Sequence, residues 1–141
     1  MKETQSAGGV VLNPQNQVLV VKQKGNSWSL PKGHLNENEE KLAAAKREIY
    51  EESGVDDLVL LQEIAQYQRY RIGADGEEDL SELKNITMFL FRTRQMDLCP
   101  LDVDNPEARW VDPQDVANLL SHPKDKEFFR SVMGNILKDL S

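Results

Sequence analysis

Two apolar, β-branched runs open the chain, "GGVVL" at residues 8–12 and "QVLVVKQ" at 17–23, with "NPQN" between them. Runs of that length bounded by turn residues predict paired strands joined by a tight turn. "GNSWSLPKGHLN" then breaks the pattern with turn residues and predicts a loop over residues 25–36. From about residue 38 to 53, Leu42, Ala45 and Ile49 recur at i, i+3 and i+7. That stripe predicts an amphipathic helix, stopped by Gly54. "LVLLQEIAQYQRY" predicts a long strand, "GADGEED" a polar turn, "LKNITMFLFRTR" a further strand and "ARWV" a short one. Asp112 as cap and Pro113 at the first helical position open a helix in "DPQDVANLL". "DKEFFRSVMGNILKDL" predicts a closing helix with Phe128, Phe129, Val132 and Ile136 as its core stripe. Strands interleaved with helices predict a mixed α/β domain. No repeat, low-complexity tract or linker divides the chain, so residues 1–141 are expected to form a single domain.

Composition narrows the partners. The 141 residues are 39% hydrophobic and 29% charged, as in ordinary globular proteins. The formal net charge of −7 tells against broad attraction to nucleic acid or anionic membrane. An anionic substrate therefore needs local compensation from a metal or a few placed cations. The single cysteine, Cys99, allows no intramolecular disulfide. It lacks a basic neighbour, which argues against a nucleophile. With no apolar leader in "MKETQSAGG" and no run of membrane-spanning length, a cytoplasmic protein is expected. His34 and His122 have no cysteine partners at zinc-ligand spacing.

The stretch "REIYEESG" poses a physical problem. On a helix Glu48, Glu51 and Glu52 fall at i, i+3 and i+4, within an arc of roughly 100°. Like charges so placed repel by about 0.2–0.5 kcal/mol per pair. Arg47, four residues before Glu51, offers internal relief. A solvated charged face is one reading. A site for a hard divalent cation, which takes carboxylate oxygens and substrate phosphates, is the other.

Gly33, Glu39 and "REIYEESGV" from Arg47 onward match the Nudix box at every fixed position over residues 33–55. "AGGVV", "WSLPKG" and "ARWVDPQDV" are also similar to that family. The resemblance implies an α/β/α sandwich with a mixed sheet, and a hydrolase that uses Mg²⁺ or Mn²⁺ to cleave nucleoside diphosphates linked to another moiety. It implies Glu48 and Glu52 as metal ligands with Glu51 next, and the Gly33 carbonyl as a further one. It casts Arg47 as the group that orients the carboxylates and Glu39 as a tie between loop and helix. Direct attack by an activated water is implied, with Glu51 and Glu52 serving catalysis.

Within the family, "WSLPKGH" resembles the dinucleoside polyphosphate hydrolases more than branches with P-G-G or P-Q-G there. Lys32 suits a polyphosphate because an ammonium adapts to phosphate oxygens. Tyr70, 16 residues after Gly54, lies near a tyrosine characteristic of that branch, with Tyr67 expected on the opposite strand face. His34 and Lys84 are candidate phosphate contacts. Trp28 either belongs to the core or walls the nucleotide pocket. The branch also carries a glutamate six residues before the tryptophan of an R-W pair. Here that position, before Trp110, holds Asp104, expected as metal ligand or base, with Asp102 and Glu107 as rivals.

The expected activity is hydrolysis of Ap4A to ATP and AMP by a monomer or homodimer. The alternatives are another Nudix specificity (diphosphoinositol polyphosphates, nucleotide sugars, nucleoside triphosphates or capped RNA) and a non-catalytic nucleotide-binding module.

Overall fold

The computed structural model describes residues 2–22, 26–73, 75–101 and 107–140, the last four by backbone alone. Its strands are β1 (Lys2–Leu12), β2 (Val18–Lys22), β3 (Trp28–Ser29), β4 (Lys32–His34), β5 (Val59–Ile72), β6 (Glu78–Arg92) and β7 (Glu107–Val111). Its helices are α1 (Lys41–Ser53), α2 (Pro113–Leu119) and α3 (Pro123–Leu140). The strands form one mixed sheet in the order β3-β2-β1-β6-β5, with β4 on β1 and β7 on β2. β1 runs parallel to β6 and antiparallel to β2 and β4.

The sheet is covered on both faces, which is why β1 reads as a continuous apolar run rather than an alternating one. Val10 and Leu12 point to one side, into a core with Leu30, Ile86, Met88 and the α2–α3 residues Val116, Phe128 and Phe129. Ala7 and Val11 point to the other, into a core with Leu19, Phe91 and the α1 residues Ala44, Ala45 and Ile49. An α/β/α sandwich results. Among the described residues no helix is long and apolar enough to cross a membrane.

Three local expectations change. The stretch expected as a loop holds β3 and β4, strands of two and three residues. Strands so short carry no period of their own; their pairing with β2 and β1 defines them. α1 starts at Lys41 rather than near residue 38, because Asn38 sits at φ 64° in the left-handed region. Asp112 precedes α2 without a side-chain capping bond, and its carboxylate accepts from Gln17 Nε2 at 3.4 Å. α1 ends as its sequence indicates. Gly54 takes φ 80° and its N–H donates to the Tyr50 carbonyl at 2.8 Å.

β5 pairs antiparallel with β6 through three register shifts, at Leu60/Gln62, Glu63/Ala65 and Tyr70/Arg71. Its first half is bare of helix, leaving Val59, Leu60 and Leu61 exposed. Its second half packs on α3, where the Tyr67 ring stacks on Phe128 with centroids 4.6 Å apart.

The fold makes a tight demand at Gly9 of β1. A Cβ built on Gly9 would lie 2.7 Å from the fully buried Phe91 ring. Gly9→Ala should therefore cost about 1–3 kcal/mol by overpacking. Urea denaturation would check this, and a midpoint equal to wild type would show that the ring can move aside.

Candidate active site

β4 lies between β1 and the last two turns of α1, and its alternation sends successive residues to opposite sides. Gly33 faces α1, where an added Cβ would fall on the Glu48 carboxylate. The absence of a side chain is what lets backbone and carboxylate meet. Beside it, the Lys32 N–H donates to Glu52 Oε1 at 3.0 Å. Glu52 is 3% exposed, so this bond anchors one of the box carboxylates in the interior.

Arg47 organises the others. Its Nε and Nη2 donate to the two Glu39 oxygens at 2.8 and 2.9 Å, a bidentate pair. Its Nη1 donates to Glu48 at 2.8 Å and to Glu51 at 3.3 Å, and Nη2 also donates to the His34 carbonyl at 3.0 Å. One guanidinium thus ties the 36–40 turn, β4 and two carboxylates of α1 together. Hydrogen bonds from Arg47 and from the Asn36 N–H hold Glu39 down near a pKa of about 2. Burial pushes Glu48 up, against the pull of Arg47. Glu51 has a side chain 43% exposed.

Glu48 and Glu51 therefore share Arg47, while Glu52 accepts from the Lys32 N–H. Among the described residues no three His, Cys, Asp or Glu groups converge at metal-ligating distance. The donor set nonetheless suits a hard cation: carboxylate oxygens on one helix face, with the Gly33 backbone in contact with one of them.

On the far side of β4 opens a cleft of about 690 Å³. Lys32 and Gly33 line it, together with Arg69, Arg71, Lys84, Trp28, His122 and Asp125. Four cationic residues in one cleft contrast with the net charge of −7. Arg69 and Lys84 stand directly opposite one another on β5 and β6. Like charges so paired destabilise a sheet unless an anion joins them. Burial, and next the charge of Arg69, pull Lys84 down. The same two causes lower His122. Its Nδ1 accepts from the Lys124 N–H at 3.0 Å, so Nε2 carries the proton and donates to the Tyr70 carbonyl at 3.3 Å.

Among the described residues lining the cleft the one carboxylate is Asp125, buried in the first turn of α3. Lys32 Nζ donates to its Oδ2 at 3.3 Å and the Tyr67 hydroxyl to its Oδ1 at 2.6 Å. Arg69 Nε lies 3.3 Å from Oδ1 but makes no aligned hydrogen bond. Burial raises Asp125, yet Lys32 and Arg69 outweigh it and keep the carboxyl below its ordinary range. Burial lowers Lys32 to about 8, further than Asp125 raises it.

The expected site residues divide as follows. Gly33, Glu48, Glu51, Glu52 and Arg47 gather where β4 meets α1. Lys32 and Lys84 line the cleft, Lys32 with its ammonium on Asp125. His34 is outside the cleft lining, its Nε2 3.3 Å from Glu82, which also accepts from the Thr4 hydroxyl at 2.8 Å. The Tyr70 side chain does not line the cleft either; Arg69 and Arg71 do, on the face that Tyr67 shares. Asp104 and Asp102 lie outside the described residues, and Glu107 pairs with Arg109 at 2.6 Å. Trp28 serves both expected roles, packing on the core while walling the cleft, with Arg109 over its ring at 4.6 Å. Arg69, Arg71, His122 and Asp125 went unassigned in the sequence reading. The alternation Tyr67, Arg69, Arg71 was the signal for the two arginines.

A family model described as "NUDIX domain" matches residues 2–132. The chain is 28% identical over 124 residues to the RNA pyrophosphohydrolase of Pelagibacter ubique (strain HTCC1062), covering 80% of this chain and 78% of that protein. A shorter match, 39% over 70 residues, to the RNA pyrophosphohydrolase of Histophilus somni (strain 2336) covers 48% of this chain and 36% of that protein. Among solved structures, a C. elegans Ap4A hydrolase binary complex superposes with a TM-score of 0.75 at 18% identity, covering 96% of this chain and 98% of that one. The E. coli dihydroneopterin triphosphate pyrophosphohydrolase gives 0.74 at 16% identity, with coverage of 96% and 99%. Likeness at these identities establishes the fold.

The contact between Gly33 and Glu48 makes a measurable demand. In Gly33→Ala the new methyl displaces the carboxylate, and Mn²⁺ affinity should fall about 10–100-fold, as for other groups that orient a ligand. Titration calorimetry would measure it; an isotherm identical to wild type would remove Gly33 and Glu48 from the cation site.

Proposed function

The chain belongs to the NUDIX family, and on that premise we propose that it is a metal-dependent pyrophosphohydrolase acting on a dinucleoside polyphosphate, splitting Ap4A into ATP and AMP. The observation that carries this reading is the cationic cleft. Lys32, Arg69, Arg71 and Lys84 line a concave site that shares β4 with the three box glutamates. A polyphosphate laid along these cations would reach Gly33, where the carboxylates begin. The loop "WSLPKGH" supports the same substrate class.

Hydrolysis forms one P–O bond from water and breaks the bridging P–O bond, and the water loses a proton. Glu48, Glu51 and Glu52, with the Gly33 carbonyl, would hold a Mg²⁺ or Mn²⁺ ion, which when bound screens phosphate charge and acidifies water. Arg47 sets the orientation of Glu48 and Glu51 and carries charge opposite to theirs. Among the box glutamates, Glu51 suits proton acceptance, being solvent-exposed and held only by long contacts to Arg47. Asp104 is the second candidate for that role. The side chains of the cleft bear the remaining phosphates, with Trp28 offering a flat wall to a base.

A second reading has its own support. The relatives matched in sequence are named RNA pyrophosphohydrolases, one of them along 80% of this chain. A 5′-triphosphate on RNA carries the same anhydride.

The test is a substrate panel of Ap4A, 5′-triphosphorylated RNA, dGTP, ADP-ribose and a nucleotide sugar, with Mg²⁺ or Mn²⁺ and after chelation. Ap4A should give the highest kcat/KM, with ATP and AMP in equal amounts and no turnover after chelation. If triphosphorylated RNA leads, the second reading replaces the first. Glu52→Gln preserves the acceptor for the Lys32 N–H but removes charge. It should lower kcat at least about 10²-fold, as loss of one electrostatic stabiliser does, with unfolding unchanged. Wild-type turnover in that variant would sink the assignment.

A further inference from the structure

We propose that Asp125 is a positioning residue, whose buried carboxylate holds Lys32 and Arg69 at the floor of the cleft in the arrangement that receives a polyphosphate. The proposal rests on the reading of this cleft as a polyphosphate site.

Lys and Arg side chains are long and lose much rotamer freedom when fixed. A site that must order them as substrate arrives binds more weakly than one that holds them beforehand. Asp125 does the holding. It is 1% exposed and stands in the first turn of α3. Its two oxygens are divided between the cations: Oδ2 takes Lys32, while Oδ1 takes Tyr67 and faces Arg69. Tyr67 is itself fixed by stacking on Phe128, one turn along the same helix.

The carboxylate does not use up the donors. Lys32 Nζ gives one proton to Asp125 and a second to the Leu30 carbonyl at 3.5 Å, out of three. Arg69 turns its Nε to Asp125, and Nη1 contacts the Tyr70 carbonyl at 3.4 Å, out of five N–H groups in all. Each cation keeps N–H groups for an anion. Nor does one carboxylate neutralise the cleft, since Arg71 and Lys84 also line it. Asp125 thus fixes the cations from behind while leaving the cleft net positive.

The sign of one measurement separates this role from the alternatives. If Asp125 only lowered the local positive charge, Asp125→Asn would bind anions more tightly. If it only supported the fold, the variant would lose stability with unchanged KM and unchanged anion affinity. Positioning predicts weaker binding in Asp125→Asn and also in Tyr67→Phe, which loosens Asp125 while leaving its charge in place.

The experiment measures kcat and KM for Ap4A, and the affinity for inorganic tripolyphosphate without metal, in wild type, Asp125→Asn, Tyr67→Phe and the exposed control Glu127→Gln. Expected are a KM raised at least tenfold in Asp125→Asn with kcat within threefold, and a parallel tenfold loss of tripolyphosphate affinity. Tyr67→Phe keeps the ring on Phe128 and removes one bond to Asp125, so KM should rise about threefold. It carries the test alone if Asp125→Asn does not fold. The control should match wild type. Tighter tripolyphosphate binding in Asp125→Asn, or unchanged KM in both folded variants, overturns the proposal while leaving the cleft reading in place. Absence of both hydrolysis and tripolyphosphate binding in the wild type overturns the cleft reading, and the proposal with it.

Discussion

The site depends on how closely β1, β4 and α1 approach one another. Gly8 on β1 leaves no room for a Cβ against the Pro31 carbonyl and Lys32, and Gly33 on β4 leaves none against Glu48. With side chains at these positions the three elements would stand apart and the Lys32 N–H would not reach Glu52. Because strand residues alternate in direction, this short crossing sends Gly33 to the carboxylates and the Lys32 side chain to the cation cleft. Three residues of β4 join the two halves of the site.

Charge is segregated on either side of that crossing. The carboxylates of α1 would repel one another, and Arg47 offsets this with charge-assisted hydrogen bonds to Glu39, Glu48 and Glu51. On the other side Asp125 faces Lys32 of β4 and Arg69 of β5. Arg47 ties the first cluster and Asp125 the second, and neither cluster is neutralised by it. A cation suits the first cluster and a polyanion the second, so a metal–polyphosphate pair would complete both at once.

Much of this was legible in the sequence, for identifiable reasons. The long strands and helices carry their own hydrophobic period, and the residues around Gly33 and Arg47 are fixed in spacing along the chain. Strands interleaved with helices indicated a mixed α/β domain, and the resemblance carried by the box supplied the α/β/α arrangement. What was not legible is what tertiary contact creates. β3 and β4 are too short for periodicity and exist through their partners. Asp125 reads as an ordinary acid near a helix start until α3 packs beneath β5 and brings it to Lys32, 93 residues away. Tyr70 is an aromatic at a suggestive spacing, but the cleft is lined by Arg69 and Arg71, and the Tyr67 hydroxyl reaches Asp125.

The placement of β5 at the sheet's end has a consequence for how the molecule behaves in a crowd. A strand of 14 residues with an unpaired edge is a template on which another chain can add, and Val59, Leu60 and Leu61 would make such an addition sticky. Two of the three register shifts fall within a few residues of those side chains. Each shift bends the strand and spoils the even ladder that an incoming strand would need. The irregularity that looks like imperfect pairing inside one molecule is, between molecules, a barrier to cross-β growth at its most exposed apolar edge.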